Sequence, residues 1–155
     1  EYGRTYSDLG WGPIANKASG DNITKDFTSE SATVTPEFLI DADPDIIIIT
    51  GSNWVETPDS VKLGYYANKN TARDLLQGYL KRPGWNTLKA VQNKEVYSIF
   101  HTYDSRIYSF AGLQALAKWF YPNEFSDIDP EASIIEYHER FLPIDYSGTW
   151  TVDLK

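Results

Sequence analysis

The segment Asp45-Ile46-Ile47-Ile48-Ile49-Thr50-Gly51 restricts the fold of this chain more than any other. Its isoleucine run leaves no polar face, so it reads as a strand covered on both sides within a parallel sheet, closed by a glycine. The residues ahead of it explain how the chain arrives there. Thr35-Pro36-Glu37 supplies a capping hydroxyl, a proline suited to the first helical position and an early carboxylate. A short helix therefore begins before Phe38, Leu39 and Ile40, and Pro44 ends it. Helix, tight turn and buried strand make one α/β unit.

The remaining sequence continues that alternation. Residues 1–8 read as a loop, and residues 9–18 as a short helix with Asp8 as its cap and Gly20 just beyond. A polar stretch over 19–31 holds a short strand near Ile23. After a long connection over 51–70, Leu75, Leu76, Tyr79 and Leu80 give helical spacing across 71–80, and Arg82-Pro83-Gly84-Trp85 stops it. A further turn of helix covers 86–91, and Glu95-Val96-Tyr97-Ser98-Ile99-Phe100 is the second clear strand. Phe110, Leu113, Ala117 and Phe120 share one face of a helix over 107–120; Ile134, Ile135, Phe141 and Leu142 point inward from a last helix over 130–142. The expected architecture is α/β, a three-layer α/β/α lobe around a central, mostly parallel sheet. Its 155 residues suit one domain.

Charge removes some partners. With 14 basic and 22 acidic side chains the net charge is −8, which disfavours nucleic acid or an anionic membrane surface. No apolar run approaches the ~20 residues of a transmembrane helix. The chain has neither Cys nor Met, so the expectation is a piece of a longer product that starts upstream of Glu1. Aromatic residues reach 15%, enough that some rings are expected to line a binding surface.

In an open α/β sheet, ligands bind beyond the carboxyl ends of the strands. That rule selects the loops over 2–8, 51–56 and 101–108. They carry Tyr2, Arg4, Tyr6, Asn53, Trp54, His101, Tyr103 and Arg106, with Ser52, Asp104 and Tyr108 beside them. Rings and guanidinium groups together suit a flat organic ligand that carries negative charge. Arg106 can instead bridge to Asp104 at the surface. A metal centre is not expected, because the chain has only His101 and His138 and neither sits in a spaced carboxylate motif. His138 reads as a packing residue. No nucleotide-binding glycine loop, nucleophile elbow or cysteine nucleophile occurs. The one enzymatic alternative is a small α/β enzyme using His101 and Asp104, with Ser105 as nucleophile. An interaction module whose aromatics face a protein partner is another.

Four segments in order, VTPEFLIDADPDIIIITG, RPGWNTLKAVQNKEVYSIFH, FAGLQALAKWFYPNEF and FLPIDYSGTW, resemble the C-terminal lobe of class III periplasmic binding proteins. These are the substrate-binding proteins of ABC importers for iron–siderophore complexes, haem and cobalamin. The resemblance implies that residues 1–155 are a single lobe of a two-lobe protein whose N-terminal lobe and connecting helix lie upstream. It implies a monomer without a cofactor that binds an iron complex or similar metal chelate between its lobes and delivers it to the ABC transporter permease. Haem, cobalamin or an oxyanion such as molybdate are the alternative ligands. It places Tyr103 and Arg106 in the cleft and assigns Glu37 to docking on the permease. The expected location is the periplasm or the outer face of the cell membrane, reached through a lipid anchor or the permease alone.

Overall fold

A computed structural model describes residues 3–155. Tyr2 therefore lies outside the described residues. The central sheet has the order β3-β4-β5, formed by Ile47–Gly51, Val96–Phe100 and Thr151–Asp153. β3 and β4 run parallel from Ile47↔Val96 to Gly51↔Phe100, and β5 lies antiparallel on the other side of β4. A separate two-stranded ribbon pairs β1 (Arg4–Tyr6) antiparallel with β2 (Ser31–Thr33).

Helices cover both faces of the sheet, which gives the three layers expected. One face carries α1 (Gly12–Lys17), α5 (Ser109–Phe120) and α6 (Pro130–Phe141) around Trp11, Ile14, Ile99, Leu116, Ile134 and Trp150. The opposite face carries α2 (Pro36–Ala42), α3 (Lys69–Tyr79) and α4 (Lys89–Gln92) around Ile47, Leu63, Leu76, Leu88 and Val96. Side chains alternate across β3 as a strand requires: Ile47 and Ile49 join the second cluster, and Ile48 packs against the first.

Local chemistry sets the helix starts. The Thr35 hydroxyl accepts from the Phe38 N–H at 3.2 Å, with Pro36 opening α2. Asn68 caps α3 by accepting from the N–H groups of Asn70 and Thr71, and Asp129 does the same for Glu131 and Ala132 at the head of α6. α1 departs from expectation, because its cap is Trp11 and Asp8 instead accepts from the side-chain amides of Asn16 and Asn22. The segment around Ile23 is a turn and not a strand.

α6 also differs from the sequence reading. Phe141 is 62% exposed, whereas His138 is the buried residue beside Ile134. His138 Nδ1 lies 2.7 Å from the Ile134 carbonyl, an acceptor only, so that nitrogen carries the proton in the neutral ring. Nε2 then accepts from the Tyr65 hydroxyl at 2.6 Å, and Tyr65 is in turn 3.2 Å from the Tyr108 hydroxyl. Burial and the Tyr108 contact push the Tyr65 phenol above its ordinary range, which keeps it a hydrogen-bond donor.

Candidate functional site

The carboxyl ends of β3 and β4 lie side by side, and the chain leaves them as two loops that meet the β1–β2 ribbon. His101, the first residue after β4, is the centre of the meeting point. Trp54 from the loop after β3 stands edge-on to it at 5.1 Å between ring centroids, and Tyr6 of β1 lies at 5.9 Å. Trp11 closes the inner side at 6.5 Å. Sequence reasoning missed Trp11 because it belongs to a helix start and not to one of the three selected loops.

His101 is half-buried, and burial lowers its pKa below the ordinary 6.5; Asp104 opposes that shift and Arg4 adds to it. Its Nδ1 is buried and has no hydrogen-bond partner among the described residues, and the same holds for Trp11 Nε1. A depressed histidine contributes stability that is complete above the unfolded value near 6.5 and is lost as pH falls through the folded value. Between pH 7.5 and 5, unfolding free energy should therefore fall more in the parent protein than in His101→Gln, as measured by urea denaturation. Identical pH profiles would show that His101 titrates alike in both states.

The walls are tied to the fold. Asn53 Nδ2 donates to the Tyr65 carbonyl at 2.9 Å, linking the Trp54 loop to the residue that holds His138. Lys62 Nζ donates to the carbonyls of Trp54 and Thr57, the latter at 2.6 Å, and to Ser60 Oγ at 3.0 Å. Arg4 is exposed, with Nη2 3.4 Å from Ser31 Oγ. Arg4, Tyr6, Asn53, Trp54 and His101 all line one groove of about 1540 Å³ that continues along β3.

Two expected site residues are placed elsewhere. Tyr103 is 1% exposed and is corrected from cleft to core: its ring stacks at 5.8 Å on Trp150, edge-on to Phe100, because the short helical turn His101–Asp104 rotates it inward. Arg106 is exposed at the same end of the sheet but does not line the groove, and no bridge to Asp104 forms. Ser105 Oγ donates to Asp104 at 3.0 Å and not to His101, so the catalytic arrangement His101–Asp104–Ser105 is not assembled. Glu37 is exposed in the first turn of α2, where its own backbone N–H and the Thr35 hydroxyl hold its carboxyl below the usual range. Among the described residues no group of three or more His, Asp or Glu side chains is placed to hold a metal, and no helix is long and apolar enough to cross a membrane.

A family profile described as periplasmic binding protein matches residues 4–101, from β1 through the central ring of the groove. The chain belongs to the periplasmic binding protein family. The crystal structure of a TroA-like periplasmic binding protein, FepB from Veillonella parvula, is 42% identical and superimposes over 100% of this chain and 45% of its own, with a TM-score of 0.94. A periplasmic solute-binding protein from Veillonella parvula, 18% identical, matches over 93% of this chain and 41% of its own with a TM-score of 0.68. The molybdate-bound MolA of Haemophilus influenzae matches over 93% and 40%, with 19% identity and a TM-score of 0.64. The chain thus spans less than half the length of these periplasmic binding proteins and builds one α/β/α lobe of their class III fold. No curated protein matches it.

Proposed function

We propose that this chain is the C-terminal lobe of a two-lobe solute-binding protein, with the N-terminal lobe and connecting helix encoded upstream, and that it captures a chelated iron compound for an ABC permease. The ring cluster of Tyr6, Trp54 and His101 carries this reading. Three clustered rings beside Arg4, in a groove that Arg82 also lines, favour an organic chelate over a bare oxyanion, because rings match the chelator's organic surface and Arg4 one of its anionic oxygens. Arg106, exposed at the same end of the sheet, and Tyr2, next to the ribbon in sequence, add further contacts once the lobes close. Glu37 serves the permease, since it stands exposed on the surface of α2 and stays ionised. The protein works as a monomer outside the cytoplasmic membrane, anchored by lipid or held only by the permease.

The test uses the longer protein with a panel of ferric hydroxamate, ferric catecholate, haem, cobalamin and molybdate, read by tryptophan fluorescence. Iron chelates should quench it, and Trp54→Ala should weaken that binding about tenfold, or ~1.4 kcal/mol. A response to molybdate alone would replace the iron reading with an oxyanion one, and turnover lost in His101→Ala would replace binding with catalysis. Glu37→Ala should leave binding intact and reduce uptake in cells.

A further inference from the structure

His138 and His101 bury the same ring nitrogen in opposite surroundings. In His138 the buried Nδ1 meets the Ile134 carbonyl at 2.7 Å, an acceptor that draws the proton to that nitrogen. In His101 the buried Nδ1 meets no acceptor among the described residues. The cage around it is aromatic: the rings of Tyr6, Trp11 and Trp54 have centroids 5.9, 6.5 and 5.1 Å from that of His101. Within this cage the indole N–H of Trp11 is also buried and unpaired, and an indole can only donate.

Those two atoms fix where the neutral imidazole carries its proton. A proton on Nδ1 would place a second buried N–H without an acceptor in the same cage, and orphaned buried N–H groups are rarer in folded proteins than orphaned acceptors. A proton on Nε2 instead leaves Nδ1 as a lone pair, the complement of the indole N–H. The ring is neutral above its lowered pKa, because burial disfavours the charged form and Arg4 adds to that effect against Asp104. Nε2 is not sealed in as Nδ1 is, and His101 lines the groove together with Arg4. A ligand therefore meets a charged donor on Arg4 and a neutral one on His101, and both call for an oxygen. A nitrogen that holds a proton has no lone pair left for a metal ion.

We infer that Trp11 holds the proton of His101 on Nε2, and that His101 donates it to an oxygen of the ligand instead of ligating the metal. This rests on the chelate-binding reading above and narrows it: the site takes a chelate whose metal is already fully coordinated and recognises it through its oxygens. Trp11 does not line the groove, so it is a positioning residue that acts through His101.

Nitrogen NMR of the longer protein with isotope-labelled histidine, at about pH 8, well above the ordinary histidine value, tests this. His101, assigned by its loss in His101→Gln, should show the Nε2–H tautomer, and His138 the Nδ1–H one; an Nδ1 proton on His101 would overturn the inference. Trp11→Phe keeps a ring and loses the indole N–H, so the His101 signal should move toward a mixture of tautomers. An unchanged signal would remove Trp11 from the role. On binding a hexadentate gallium(III) trihydroxamate, a diamagnetic stand-in for the ferric complex, Nε2 should keep its proton. Loss of that proton, or tighter binding of a tetradentate ferric dihydroxamate with open metal positions, would assign His101 to metal ligation. His101→Leu should weaken binding of the ferric trihydroxamate about tenfold and His101→Gln, whose amide restores a donor, about threefold. Equal losses in the two variants would overturn donation. If the parent protein binds neither hydroxamate while His101 keeps its Nε2 proton, the chelate reading and donation to it fall and the placement of the proton by Trp11 stands.

Discussion

Trp150→Ala should destabilise the protein by ~3–5 kcal/mol, the range for truncating a large buried aromatic. Trp150 is 3% exposed and joins residues from distant parts of the chain. Tyr65 and Phe100 stand edge-on to it at 4.8 Å, Tyr108 at 5.4 Å, and Tyr103 and His138 each lie at 5.8 Å. Its indole N–H donates to the Ser147 carbonyl at 3.0 Å. Removing it opens a cavity among five rings and loosens Tyr65, whose carbonyl holds Asn53 of the groove. For a chain of this size the loss corresponds to a fall in Tm of about 6–20 °C. Urea unfolding measures it, with Trp150→Phe as the milder comparison. A truncation effect below ~1 kcal/mol would mean that the rings collapse into the space without penalty.

Gly112→Ala should also be harmful, although alanine is the better helix former by ~1 kcal/mol. An added Cβ at Gly112 would sit 2.6 Å from the Tyr103 carbonyl oxygen and 2.8 Å from its Cβ, so α5 must move off the turn that carries His101. Overpacking of this kind costs ~1–3 kcal/mol and should outweigh the propensity gain. Gly78 in α3 is the matched control, since its added Cβ meets nothing within 4 Å. Gly78→Ala should stabilise by up to ~1 kcal/mol. Opposite signs for the two substitutions in urea unfolding are expected. A Gly112→Ala protein as stable as Gly78→Ala would show that α5 and the turn are not held at fixed separation.

That close approach also explains what the sequence concealed. Phe110, Leu113, Ala117 and Phe120 mark the correct helix, but its deepest residues are Ala111, Gly112, Ala115 and Leu116. Hydrophobic size points to the large side chains, whereas a helix pressed against a backbone turn needs small ones. The covered faces of β3 and β4 were legible because β-branched runs and helix caps are local signals, as the Thr35 cap shows. β1, β2 and β5 were not, because three polar-rich residues such as Thr151–Asp153 become strands only through their partner.

The site divides along the same line. The strand-end rule finds Arg4, Tyr6, Asn53, Trp54 and His101, which the structure gathers around one groove. It misjudges Tyr103 because a loop tyrosine gives no sign of which way a short helical turn will swing it. Trp11 escaped for a related reason: its closeness to His101 depends on where α1 packs.

The Lys62 ammonium, spanning Trp54, Thr57 and Ser60, has a consequence beyond shaping the groove. A trypsin-like protease must draw the lysine side chain into its own acidic pocket before it can cut. Here that side chain is already committed to the loop it would have to leave. The long polar connection after β3, which by length and composition would be the natural place for nicking, is thereby guarded at the one basic residue it contains before Lys69.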